Sequence, residues 1–476
     1  MTTTGHGSTT APRTPELAGL PLIGSLLDLK NDSLAAFLKA RRDHGDVVRV
    51  TAGPPGARAT VHCVFSAEGV QQVLATRAAD FRKDNAFYQE IRESFGNGLL
   101  TSQDGDYLRQ RRLVQPLFTP RGVDGYASAV AAEVTRLTDG WRAAGHDSVD
   151  VVHEMAGLAL RAVARILFGT DVEAAVGIVE RCFPVLGAYV SRRGFAPRKL
   201  PRSWPTPGNR RAAAAHEELY AVCDRIIAER RASGAHATGD DLLSRLVAAG
   251  GDGADGTSGS DGTNGTGGFD ATELREQVLV FLLAGHETTA TSMGFALHLL
   301  ARHPEAQRRA HQELDEVLGG RTPGAADLDA LPYLTRVLKE AMRLFPAAPA
   351  IGRRAVVATE IDGYPVPAGA DVIVAPWVTH RHPRYWDDPE RFDPDRFTPE
   401  REAARPRYAW FPFGGGPRAC IGQHFSMLES VIALAMILQR YELEAIDTHV
   451  PLASAITLQA AGPARCRLKP RTAQGA

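Results

Sequence analysis

The ten residues from Phe413 to Gly422, Phe-Gly-Gly-Gly-Pro-Arg-Ala-Cys-Ile-Gly, carry the side chain best suited to chemistry in this sequence. Cys420 stands where an apolar helical pattern begins. It meets the positive end of a helix dipole and backbone N–H groups there, and both favour thiolate over thiol. The three consecutive glycines let the backbone lie close to a flat, large group. A thiolate tempered by such donors can serve as a permanent axial ligand to haem iron, pushing electron density toward the metal and favouring O–O cleavage. A structural cysteine buried in a glycine-rich turn is the plainer alternative, but here the whole pattern F-x-x-G-x-R-x-C-x-G is filled.

That pattern resembles the haem-binding loop of the cytochrome P450 family, and the resemblance extends over nearly the whole chain. It implies a mainly α fold with small β-sheets (α+β): a triangular helical prism holding haem b between a long central helix and the helix after the cysteine. By the same resemblance Cys420 is the iron ligand and Gly422 belongs to the cofactor loop. Arg418 pairs with a haem propionate, and Phe413 packs beside the ligand loop and tunes the iron's potential.

Three further stretches gain weight from the resemblance. Glu340-Ala-Met-Arg343 places opposite charges at i and i+3, which alone means little on a helix surface. In the family such a pair joins a later arginine in a buried structural triad. Pro389-Glu-Arg391-Phe392 spells the familiar motif literally, whereas spacing to the cysteine loop and the frame starting at Phe392 favour Arg396. Ala284-Gly-His-Glu287-Thr288-Thr289 lies inside a long apolar helix, where Gly, Glu and Thr are poor choices unless a groove or polar pocket is wanted. An acid beside an alcohol can relay protons or hold a water that does; a mid-helix kink with a solvated Glu is the alternative. The match to the family's oxygen-activation motif implies Glu287 as the acid and Thr288 as the alcohol, with His286 a spectator and Thr289 a packing residue. Tyr107 and Arg111 share a helix face at i, i+4 and occupy the place of the family's propionate-binding W-x-x-x-R, with Tyr in place of Trp. Arg353 matches another propionate-binding arginine, with Arg354 as its alternative. The resemblance also implies an apolar substrate pocket from Phe87, Tyr88, Phe95, Leu99, Leu100, Phe281, Ala284, Ala347, Ala348, Ala350, Ile351 and Ile456, any of which could equally be core.

These groups need a scaffold. Short alternating runs at 47–51 and 60–65 read as strands. Helical periodicity dominates from about residue 113, with apolar faces at 130–141, 152–168 and 216–231. The long helix runs over 272–302 with Asp270 as N-cap, and a second over 332–344 begins with a proline that the first turn tolerates. Strand-like runs fall at 355–357 and 372–375, a final helix at 422–441, and a hairpin at 450–468. Residues 1–15 read as a disordered arm and 250–268 as a flexible loop, leaving 16–476 as a single haem-thiolate domain.

The bulk numbers set limits. At 476 residues, 44% hydrophobic and 23% charged, the chain can bury a large core. A formal net charge of −1 offers no basic field for nucleic acid or an anionic membrane. Five scattered cysteines without a C-x-x-C pair read as reduced thiols in a cytoplasm. The partly apolar run at 17–29 is too short and broken to span a bilayer. The expectation is a cytoplasmic monomer that inserts one oxygen atom into a hydrophobic terpenoid, polyketide or fatty acyl substrate. No flavin or ferredoxin module follows the haem domain, so electrons are expected from a separate ferredoxin or flavodoxin with its reductase. A non-catalytic haem sensor is the alternative, and it would need neither the acid–alcohol pair nor a deep apolar pocket.

Overall fold

Val47–Ala52 and Ala59–Val64, β-branched runs joined through a Gly- and Pro-rich turn, pair as an antiparallel hairpin. They open a computed structural model that describes residues 13–168, 173–194, 196, 199–232, 234, 241–249 and 269–471. Most of the expected arm and all of the loop at 250–268 therefore lie outside the described residues. The chain forms two compact units interleaved in sequence: one from 1–85, 350–389 and 406–419, the other from 86–349, 390–405 and 420–476.

The first unit is built on a five-stranded sheet in the order 47–52, 59–64, 371–374, 351–355, 81–82, with one parallel pair, between 59–64 and 371–374. Val64, Leu74, Phe81, Val372 and Phe411 share its core. The strand expected at 355–357 lies instead at Ile351–Ala355. Two consecutive arginines hid it from a hydrophobic pattern. Val356 and Val357, which read as strand, are exposed beyond its end. Alternation along the strand buries Ile351, Arg353 and Ala355 and turns Arg354 outward.

The second unit is helical. Its central helix, Ala271–Arg302, starts with a capping box between Asp270 and Glu273, two reciprocal bonds that satisfy otherwise orphaned N–H groups. It packs along the Val151–Phe168 helix. A Cβ on Gly285 would come within 2.8 Å of Val163, and one on Gly294 within 2.9 Å of Val152, so both glycines permit that close approach. Pro332–Leu344 forms as expected, and the final helix runs over Gln423–Arg440 with nearly everything from Phe425 to Leu438 buried. The tail departs from the expected hairpin at 450–468. Only Leu452–Ser454 and Leu458–Ala460 pair with each other. After Gly462-Pro463 the chain breaks away, and Arg465–Pro470 joins a separate sheet with Ser148–Asp150 and Tyr441–Ala445. No described helix is long and apolar enough to cross a membrane.

Candidate active site

The ligand loop is fixed before it reaches the cysteine. The Phe411 N–H donates to His380 Nε2 at 2.9 Å, and the two rings meet edge to face with centroids 5.2 Å apart. A Cβ on Gly415 would stand 2.4 Å from the Tyr408 ring. One on Gly416 would stand 1.8 Å from the Leu74 carbonyl oxygen, at a φ of +63° that already favours glycine. These two glycines are thus required by packing inside the protein. Gly414, at φ +70°, meets nothing nearer than Ile351 at 3.9 Å, which leaves its face able to approach a flat group. Gly422 leaves space beside the sulfur, since a Cβ there would lie 3.9 Å from Cys420 Sγ.

Cys420 is exposed, three residues before the helix Gln423–Arg440, while the other four cysteines are buried. Burial pushes the thiols of Cys63, Cys223 and Cys466 up to about 12, so they are poor candidates for a thiolate ligand. The reading of Cys420 as a structural cysteine hidden in its turn does not survive this exposure. An accessible sulfur at a helix N-terminus, on a backbone pinned from both sides, is the donor chemistry that haem iron takes. The residues fit haem b.

Within the second unit, Glu340 and Arg343 are both 0% exposed and bonded twice, at 2.6 and 2.8 Å. Arg396 Nε lies 3.4 Å from Glu340 Oε1, and the Asp393 N–H donates to the same oxygen at 2.9 Å. Arg391, the competing candidate, turns its exposed guanidinium to Asp393 and offers only its carbonyl, which accepts from Arg343 at 3.2 Å. A carboxylate so buried is tolerable only because cations and an N–H surround it. Removing Glu340 leaves two buried guanidinium groups without their anion.

Tyr107 is buried, and its hydroxyl accepts from Arg111 Nη1 at 2.7 Å. A hydroxyl that accepts from a guanidinium still carries its own proton, so the replacement of Trp by Tyr keeps donors on this helix face. Arg109 is committed elsewhere, to Glu273. Arg353 is buried and donates to the Gly352 carbonyl at 2.8 Å, while Arg354 binds the Gly369 carbonyl on the outer face. Phe413 and Arg418 are half-buried in the ligand loop.

The central helix is buried at every position from Gln277 to Ala301 except four: Ala284 is exposed, and Gly285, Glu287 and Thr288 are half-exposed. These positions form a local break in an otherwise buried helix. Ala284 and Thr288, at i and i+4, share the opening. Thr288 Oγ1 donates to the Ala284 carbonyl at 2.7 Å, so its proton is committed and its lone pairs remain to accept. Glu287 goes elsewhere. Its two oxygens receive Thr457 Oγ1 and Gln459 Nε2, the latter at 2.6 Å. Burial pushes this carboxyl above the usual range, and the two donors only partly offset the rise. His286 is buried with neither ring nitrogen bonded, and burial holds it down to about 4, neutral at physiological pH. Thr289 Oγ1 bonds Ser426 Oγ at 3.1 Å across to the final helix.

The pocket candidates divide. Leu99 is buried and its N–H donates to Gln277 Oε1 at 3.1 Å, holding the loop that also carries Leu100 against the central helix. Phe281 stacks on Phe118 with centroids 5.5 Å apart and is largely core. Phe87 packs at the end of the Glu173–Gly194 helix, where a Cβ on Gly194 would come within 2.6 Å of its ring. Ala348 is half-buried beside Ala347, whose carbonyl accepts from Leu458 N at 2.9 Å. Ile456 is half-buried in the turn of the terminal hairpin. Ile351 belongs to the core of the first unit. Thr457 and Gln459 escaped the sequence reading. Their only local signal is two polar residues at i and i+2 after Ile456, one in the turn and one in the strand that follows it.

The family model for cytochrome P450 matches residues 12–462. Cyclooctatin synthase from Streptomyces melanosporofaciens is 38% identical over 457 residues, 95% of each chain. Cyclooctat-9-en-7-ol 5-monooxygenase from the same organism is 35% identical, over 90% of this chain and 88% of its own. Pentalenene oxygenase from Streptomyces avermitilis is 34% identical, over 89% and 90%. Among solved structures, the crystal structure of the cytochrome P450DA heme domain superposes with a TM-score of 0.83 at 26% identity, covering 97% of this chain and 98% of that one.

Proposed function

From its place in the cytochrome P450 family, to which this chain belongs as a haem b monooxygenase, we infer that its substrate is a terpenoid skeleton. The enzyme hydroxylates or epoxidises that skeleton with dioxygen and with electrons from a ferredoxin or flavodoxin. Relatives named for oxidising cyclooctat-9-en-7-ol and pentalenene support the substrate class. The apolar, small-residue character of Ala284, Ala347 and Ala348 supports a bulky hydrocarbon over a charged ligand. Scattered cysteines without a bridge support a cytoplasmic setting.

The observation that carries the reading is the opening in the buried central helix at Ala284 and Thr288. Cys420 would hold haem b, and the bound haem would supply the iron chemistry that activates dioxygen. Arg353 and Arg418, and Tyr107 and Arg111, are the side chains that would hold the propionates, and Glu340, Arg343 and Arg396 tie the Pro332–Leu344 helix to the segment after Glu390. Thr288 accepts a hydrogen bond with its lone pairs, and Glu287 supplies protons through a water. Consecutive helix residues point about 100° apart, so the two side chains do not meet directly.

The test is turnover of a panel of terpenoid hydrocarbons and fatty acids, with a surrogate ferredoxin, its reductase, NADPH and ¹⁸O-labelled dioxygen. A terpenoid product carrying one labelled oxygen is expected. Turnover of fatty acids alone, with no terpenoid shifting the haem spin state, contradicts the substrate class.

A further inference from the structure

The carboxyl of Glu287 is not left to solvent or to a cation. Thr457 Oγ1 donates to one of its oxygens and Gln459 Nε2 donates to the other at 2.6 Å. Both donors are neutral and both lie on the hairpin Leu452–Ser454/Leu458–Ala460. The same hairpin is tied down twice more. Leu458 N donates to the Ala347 carbonyl at 2.9 Å, and Thr291 Oγ1, which donates to the Glu287 carbonyl at 2.8 Å, shares that proton with the Leu458 carbonyl at 3.2 Å. Its turn presents Ile456 between these anchors. One small element therefore grips the acid of the central helix on one side and the alanine segment after Pro332–Leu344 on the other.

We propose that Thr457 and Gln459 are positioning residues for proton delivery: they hold the Glu287 carboxyl on the hairpin side of the helix and set its approach to the water that serves Thr288. This rests on the reading of Glu287 as the proton-supplying acid. The physical reason is the shape of the helix. Glu287 and Thr288 leave the helix about 100° apart, so a carboxyl on a flexible stem needs an external grip to stay within reach of one water. Two neutral donors fix its direction without pinning it as a permanent anion, which a lysine or arginine in their place would do. No residue from 452 to 460 and none from 345 to 350 has a titratable side chain. The hairpin and the alanine segment therefore bring no charge of their own to the acid, and they act on it through the two neutral donors. Ile456 sits in the same turn, so substrate pressed against it acts on the grip.

The test uses the haem-loaded enzyme and two readouts. Thr457→Val and Gln459→Leu each remove one donor at nearly constant volume, and Thr457→Ser restores the hydroxyl. The double variant is expected to lose about tenfold in product formed per NADPH, the lower part of the range a placed proton donor contributes. Substrate affinity by spin-state titration should stay within about twofold, a small change on the affinity scale, and Thr457→Ser should recover coupling. The second readout is amide hydrogen exchange, which needs no turnover. Glu287→Leu should accelerate exchange at Leu458 and its hairpin neighbours as the hairpin variants do, because the grip is mutual. Unchanged coupling in the double variant, alongside uncoupling in Glu287→Gln, overturns this inference and leaves Glu287 as the acid. Unchanged coupling in both overturns the reading of Glu287 itself. Unaltered hairpin exchange in Glu287→Leu overturns the grip.

Discussion

Thr288 and Glu287 are neighbours in sequence with different commitments. The threonine hydroxyl gives its proton to the Ala284 carbonyl, and Thr291 and Ser292 repeat the habit toward the carbonyls of Glu287 and Thr288. Such back-bonding lets polar residues sit in a buried helix and tends to bend it locally. Thr288 is left as an acceptor, a role that alanine cannot fill. Thr288→Ala is expected to retain haem and substrate binding but to divert most electrons to peroxide, lowering product per NADPH by about tenfold or more. Peroxide assayed against product checks this, and coupling equal to the parent protein contradicts the role. At this scale the sequence was informative wherever the chemistry was local. A cysteine after Gly-Gly-Gly-Pro-Arg and an acid–alcohol pair in an apolar helix stand out by type. The reason for Gly415 and Gly416 was not legible, because what they avoid, Tyr408 and the Leu74 carbonyl, is set by tertiary packing. The partners of Glu287 were hidden for the same reason, lying 170 and 172 residues further on.

At the scale of elements, the Ala86–Phe95 helix shows what charge can do when it is buried. Glu90, with a side chain 2% exposed, faces Arg193 at 2.8 Å, Lys199 at 2.9 Å and Arg202 at 2.7 Å. It ties this helix to the end of Glu173–Gly194 and to the segment that follows. Burial alone would push the Glu90 carboxyl up, but the three cationic donors outweigh it and hold it at about 2. A carboxyl depressed on folding stabilises the fold above its unfolded value of about 4.3, and that stabilisation fades as pH falls toward the folded value. Glu90→Gln, which leaves three cations around a neutral group, should cost about 3 kcal/mol at pH 7. The gap from the parent should close as pH falls from about 4 toward 2. Denaturant titrations across that range check it, and a gap independent of pH contradicts the account. The stretch Gln-Glu-Ile-Arg-Glu is mostly polar, and only the fold shows that Glu90 points inward. Elsewhere elements were legible where periodicity and caps agreed, as at Asp270 and Pro332. They were lost where the pattern was interrupted, as by Arg353-Arg354 in a strand.

At the scale of the whole molecule, the function depends on a few distant segments being held by buried polar groups. The Glu340, Arg343 and Arg396 cluster spans residues more than fifty apart, and the terminal hairpin reaches back to a helix 170 residues earlier. The motifs announced the family, and the mainly helical fold followed from them. The tail topology did not, because Arg465–Pro470 pairs with Ser148–Asp150 rather than with its neighbours in sequence. Everything proposed for Thr288, Glu287 and the hairpin presupposes that Cys420 binds haem iron as a thiolate. The most direct test is the absorption spectrum of the purified, dithionite-reduced protein under carbon monoxide, alongside Cys420→Ser. The account predicts a strongly red-shifted Soret band in the parent protein that disappears in the variant. A band at the position given by a histidine or neutral ligand in freshly purified parent protein, or a red-shifted band that survives in Cys420→Ser, would contradict it.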